Sequence, residues 1–98
     1  MDIQRVVIAI VEKVIDDMYR RREDLHDKPP SVNTEQFLQK DLHLDGFALN
    51  SLIWQLEDQF WWGVISLGDM IPDARVSQLV EIVKKQIYWL WQNRKFWT

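Results

Sequence analysis

Few side chains in this sequence could do chemistry, and they are scattered. His26 and His43 lie far apart in a chain that contains no Cys, and neither has a second His at metal-ligand spacing, so zinc and thiolate chemistry are not expected. Asp41, His43 and Asp45 could attract a divalent cation weakly, although a solvated acidic loop accounts for the same residues without one. Glu57 and Asp58 are neighbours on a helix, both expected to face water, which makes them a surface pair and not a general acid–base dyad. There is no phosphate-cradling glycine loop, no nucleophile–base arrangement and no cofactor fingerprint, so no catalytic residue, no metal and no cofactor are expected. The pattern that does emerge is one of recognition: Phe47, Ser51, Trp54, Asp58 and Trp61 are spaced 4, 3, 4 and 3 residues apart, along one side of a helix.

Helices must carry these residues. Ile3, Val6, Val7, Ile10, Val11, Val14 and Met18 predict a first helix from Asp2 to about Asp24, and Ile8, Ile15 and Tyr19 widen its apolar arc toward two neighbours. Pro29-Pro30 forces an extended loop, and Thr34 is the expected cap of a short turn carrying Phe37 and Leu38. Leu49, Leu52, Ile53, Leu56 and Phe60 form the core stripe of a second helix over Gly46 to Phe60. Gly63 and Gly68 punctuate a connection in which Leu67, Met70 and Ile71 predict a short helix stopped by Pro72. A last helix begins near Val76, capped by Asp73 or Ser77, and repeats at Leu79, Val80, Val83, Ile87, Leu90 and Trp91. Strand alternation is missing, so the expected class is all-α, with three long helices and a short one.

At 98 residues there is room for one domain, residues 1–98, and its surface-to-volume ratio permits a core that needs no metal or disulfide. The net charge of −3 conceals an uneven distribution: residues 23 to 73 hold ten acids against Lys28 and Lys40, while both ends are mildly basic. That acidic centre would repel a nucleic-acid backbone. The 47% of hydrophobic residues are broken by charges throughout, with no run as long as a membrane span or a secretory signal core, and the expected location is the cytoplasm.

The run Asp41 to Phe60, D-L-H-L-D-G-F-A-L-N-S-L-I-W-Q-L-E-D-Q-F, resembles the heart of the acyl carrier protein family, where the pattern is D-L-G-x-D-S-L followed by an acidic helix ending in L-E-x-x-F. Asp41, Leu42, Asp45, Leu52, Leu56, Glu57 and Phe60 match without a gap, and the flanking helix lengths fit across nearly the whole chain. The resemblance implies an acyl-carrier-like four-helix bundle and, in functional members, a 4'-phosphopantetheine arm on the Ser of D-S-L. Here Gly46, preceded by Asp45, occupies that position, and glycine has no oxygen to form the phosphodiester. Asn50-Ser51-Leu52 is a superficial second D-S-L, but Ser51 falls about one and a half turns inside the helix, facing solvent, where an enzyme reading a loop-to-helix junction should reject it.

In the resembled family the exposed face of the second helix is acidic and meets basic patches on partner enzymes. Phe47 and Trp54 match its two apolar contact positions, whereas Ala48 and Ser51 stand where acids are usual, so recognition shifts from charge toward apolar contact. Trp54 and Trp61 have two readings, as members of this exposed patch or folded under the Gly63 loop into the core. The expected function is therefore that of an acyl-carrier-like domain without a phosphopantetheine site. It would be a non-catalytic binding or regulatory partner of acyl-transfer machinery of the fatty acid, lipid or polyketide type, with weak self-association through the same patch. The alternatives are a true carrier modified on Ser51, and a helical interaction module unrelated to carriers. An aromatic and basic extension over about 88–98, with Trp89, Arg94, Lys95, Phe96 and Trp97, would dock on a membrane interface, on a partner groove or back on the bundle.

Overall fold

The computed structural model describes residues 2–27, 31–60 and 74–93, apart from the side chains of 89–91 and 93. Three helices make up the regular structure of these residues: α1 (Ile3–Arg21), α2 (Gly46–Phe60) and α3 (Val76–Asn93). They form no strand beyond one isolated antiparallel bridge between Phe37 and Arg75, so the class over the described residues is all-α. The predicted short helix of Leu67, Met70 and Ile71 and residues 94–98 of the expected extension lie outside them, as do the side chains of Trp89, Leu90 and Trp91.

Asp2 starts α1 from its N-cap position, its Oδ1 accepting the Arg5 N–H at 3.1 Å. The helix stops at Arg21, three residues short of the expected end, because the apolar repeat that fastens it to the core ends at Met18 and Tyr19. Arg22 is extended, and its N–H still donates to the Met18 carbonyl at 2.9 Å. The wide apolar arc is used on two sides, since α1 packs against both α2 and α3. Val7, Val11, Val14, Ile15 and Met18 are buried, and Ile3, Val6, Ile8, Ile10 and Tyr19 pack on the core while partly exposed.

The opposing walls are Ala48, Leu49, Leu52, Leu56 and Phe60 from α2 and Val76, Leu79, Val80 and Val83 from α3. Ile53 and Ile87 sit at the edge of the same cluster. Ala48 corrects its expected place beside the recognition face. With 2% of its surface exposed it belongs to the core, because the wheel turns it 100° from Phe47 toward α1.

The α1–α2 connection is pinned by Val32, Leu38, Leu42 and Leu44, all buried. Two expected caps are replaced here. Asn33, and not Thr34, organises the turn: its Oδ1 accepts the Glu35 N–H at 3.0 Å while its own N–H donates to Gln36 Oε1 at 2.9 Å. A carboxamide can reach the amide two residues on, which frees the Thr34 carbonyl for α3. Ser77 does not cap α3 but lies inside it, and its N–H donates to that Thr34 carbonyl at 2.9 Å; Asp73 lies outside the described residues. The Val76 N–H similarly donates to the Gln36 carbonyl, and Gln78 Oε1 accepts the Arg75 N–H. The first turn of α3 is thus capped mainly by backbone carbonyls of the α1–α2 connection, with Arg75 also stacked over Phe37 at 4.6 Å and paired with Glu35 at 3.1 Å.

Candidate functional site

The start of α2 is prepared by a compact loop. Phe37 donates its N–H to Asp41 Oδ2 at 2.8 Å, and the Phe37 carbonyl accepts the N–H groups of Asp41 and Leu42. His43 then adopts a left-handed backbone, φ 59°, the one positive-φ residue other than glycine among those described. This reversal lets Leu42 and Leu44 both enter the core while the chain turns into the helix.

Asp45 is the cap of α2, its Oδ1 accepting the Ala48 N–H at 2.8 Å. The same carboxylate is held by α1: Arg21 Nη2 lies 3.0 Å from each of its oxygens, and Arg22 Nη1 lies 3.4 Å from Oδ2. Partial burial pushes the Asp45 carboxyl up, but the Ala48 N–H, the Arg21 guanidinium and the Arg22 charge together outweigh it and hold the pKa below the ordinary carboxylate value. Arg22 is shared with Asp24, whose pKa is lowered chiefly by its hydrogen bond from Arg22. Asp41 and Asp45 are therefore engaged by different partners, and no cluster of three potential metal ligands exists among the described residues.

Gly46 opens the helix with nothing within 4 Å of where a Cβ would stand, and its φ is not in the left-handed region. A Cβ is accommodated here without displacing anything. Beside it the Phe47 ring lies outward, 67% exposed, with the Arg21 guanidinium 4.5 Å from its centroid.

Two turns further on Trp54 is 77% exposed, which excludes its reading as a core residue. Asp58 is exposed on the same side, and Ser51, between Phe47 and Trp54, is half-buried and not fully solvated as expected; its Oγ accepts a hydrogen bond from Gln55 Nε2 at 3.1 Å. Phe47, Ser51, Trp54 and Asp58 thus form one continuous row, while Trp61 lies outside the described residues. Flanking the row, an open groove of about 450 Å³ runs between Arg5, Ile10 and Lys13 on α1 and Gln55, Asp58 and Gln59 on α2.

The contribution of Arg21 and Arg22 was not legible from their position in the sequence. The only signal was the basic run Arg20-Arg21-Arg22 closing a helix, and such a run more often meets solvent. No helix of the described residues is long and apolar enough to cross a membrane. Compared with family models, curated proteins and solved structures, the chain matches none.

Proposed function

We propose that this chain is an acyl-carrier-like domain that carries no prosthetic group and serves acyl-transfer machinery as a non-catalytic binding partner in the cytoplasm. In this reading a short fourth helix follows α2, and partners dock on the outward row of α2. One observation carries the proposal. At the junction where D-S-L places its attachment serine, Gly46 stands at the first helical position behind the capping Asp45, with open space above it. The register gains support from His43, which occupies the glycine position of D-L-G-x-D-S-L and has the left-handed φ that favours glycine.

The outward row supplies the recognition chemistry. Phe47 and Trp54 stand about 10 Å apart along the helix axis, a spacing set by seven residues of helical rise. Large exposed aromatics of this kind act as anchors in partner pockets, and their hold is less sensitive to salt than that of carboxylates. Modification on Ser51 is the less favoured reading, because its hydroxyl lies within α2, half-buried and bonded to Gln55.

Mass spectrometry after incubation with coenzyme A and a permissive phosphopantetheinyl transferase tests the proposal. The unaltered chain should gain no mass, and Gly46→Ser should gain one arm. An arm on Ser51 of the unaltered chain would make it a true carrier. No arm on a folded Gly46→Ser variant would favour a helical interaction module unrelated to carriers.

A further inference from the structure

We infer that the C-terminal half of α3 binds the surface of an anionic phospholipid bilayer, lying at headgroup level without crossing it. The inference draws neither on the carrier likeness nor on the outward row of α2, so it stands or falls separately from the proposed function. Among the described side chains of α3, Val83 is the last that is buried and Ile87 the last that packs on the core. The helix nevertheless continues to Asn93, about 15 Å beyond Val83. Along that stretch Lys84, Lys85, Tyr88 and Gln92 are exposed and share one side of the helix, within an arc of about 100°. Tyr88 is 66% exposed, so its ring is not packed back on the bundle.

Charge identifies the partner. After Glu81 the sequence holds Lys84, Lys85, Arg94 and Lys95 and no acid, whereas residues 23 to 73 hold ten acids against two lysines. An anionic plane attracts the first group and repels the second, so it turns the α3 end of the chain toward itself. Lys85 makes no ion pair with any other described residue, and Lys84 is held only by an exposed contact with Glu81 at 3.9 Å, which competes weakly. Each cation near an anionic leaflet raises partition onto it about fivefold.

The same stretch of sequence is rich in rings: Tyr88, Trp89, Trp91, Phe96 and Trp97 all fall within residues 88–98. Tyr and Trp favour headgroup level, where the ring meets acyl chains and its polar edge stays hydrated. An acidic protein surface would satisfy the lysines, but the broad boundary between headgroups and acyl chains suits this many rings beside them. Among the described residues no helix is long and apolar enough to cross a bilayer, so α3 lies on the surface, held reversibly by two signals, charge and aromatic contact.

Flotation of the full chain with phospholipid vesicles provides the test, with circular dichroism to verify that each variant is folded. The chain should float with vesicles of equal parts phosphatidylcholine and phosphatidylglycerol, float far less with phosphatidylcholine alone, and be released by high salt. Lys84→Glu combined with Lys85→Glu should lower partition by more than about tenfold, and Tyr88→Ala should lower it about threefold. Trp54→Ala should float as the parent does, and its remaining Trp fluorescence should still be quenched by lipid carrying a nitroxide at the headgroup. A chain that does not float with the mixed vesicles, equal flotation with both kinds, unchanged flotation of the double lysine variant, or loss of flotation in Trp54→Ala would each overturn the inference. The lipid and salt comparisons use the unaltered chain, so the test stays decisive even where a variant fails to fold.

Discussion

A single guanidinium nitrogen of Arg21, the last residue of α1, lies 3.0 Å from both carboxylate oxygens of Asp45, the residue that caps α2. One side chain therefore closes the first turn of α2 and anchors it to the end of α1. The charges suit the backbone as well, since the arginine lies where the α1 dipole is negative and the aspartate where the α2 dipole is positive.

Asp45→Asn keeps a good capping residue but removes the charge, so it isolates the ionic part of this link. The expected loss is roughly 1 kcal/mol at neutral pH and low salt. Because the folded pKa of Asp45 lies below its unfolded value, the stabilisation is complete above the unfolded pKa of about 3.9. It is lost as pH falls through the folded value. Denaturant unfolding at a series of pH values should show the difference between parent and variant constant from about pH 5 to 7 and shrinking below about pH 4. A difference that grows on acidification would mean the carboxylate is not stabilised in the folded state.

His43→Gly should stabilise the fold, by about 0.5–1 kcal/mol. Relief of a left-handed conformation costing an L-residue roughly 1–2 kcal/mol exceeds the added chain entropy of glycine. The side chain is exposed, so little packing is lost. Denaturant midpoints measure the change, and a destabilised variant would assign the imidazole a contact of its own.

Core truncations should separate the centre of the bundle from its edge. Leu52 is fully buried at 0% exposure, and Leu52→Ala should cost roughly 2–5 kcal/mol. Ile10 also lies on the apolar stripe but is only partly buried beside the groove, so Ile10→Ala should cost clearly less, about 1–2 kcal/mol. Equal losses at the two sites would place Ile10 deeper than the structure does.

Trp54→Ala should leave unfolding free energy within about 0.5 kcal/mol of the parent, as expected for an exposed side chain. Acrylamide quenching of the parent should include an easily quenched component that this variant lacks. If quenching is unchanged and stability falls, the outward placement of the indole is refuted.

Helix content, the bounds of α2 and the core stripes were legible in the sequence because each depends on short-range periodicity. Leu52, Leu56 and Phe60 repeat at helical spacing, and no alternative element would gather them on one face. The outward row was legible for the same reason, as a pattern of positions. What periodicity cannot supply is how far a face is covered. Ala48 is small and uncharged, and only the packing of α1 against that side of α2 buried it. Trp54 had two readings until tertiary structure left it uncovered.

Contacts between distant residues were decided by the tertiary structure alone. Thr34 and Ser77 both looked like side-chain caps, yet a backbone hydrogen bond between them fastens the α1–α2 connection to α3. Arg21 and Asp45 are separated by a long loop, and no local spacing relates them. Local sequence determined where helices form and which way their faces point, since those energies act over a turn or two. Which loop carbonyl or guanidinium satisfies each helix end depended on how three faces packed together, because an unpaired end group takes its partner from whatever the fold brings within reach.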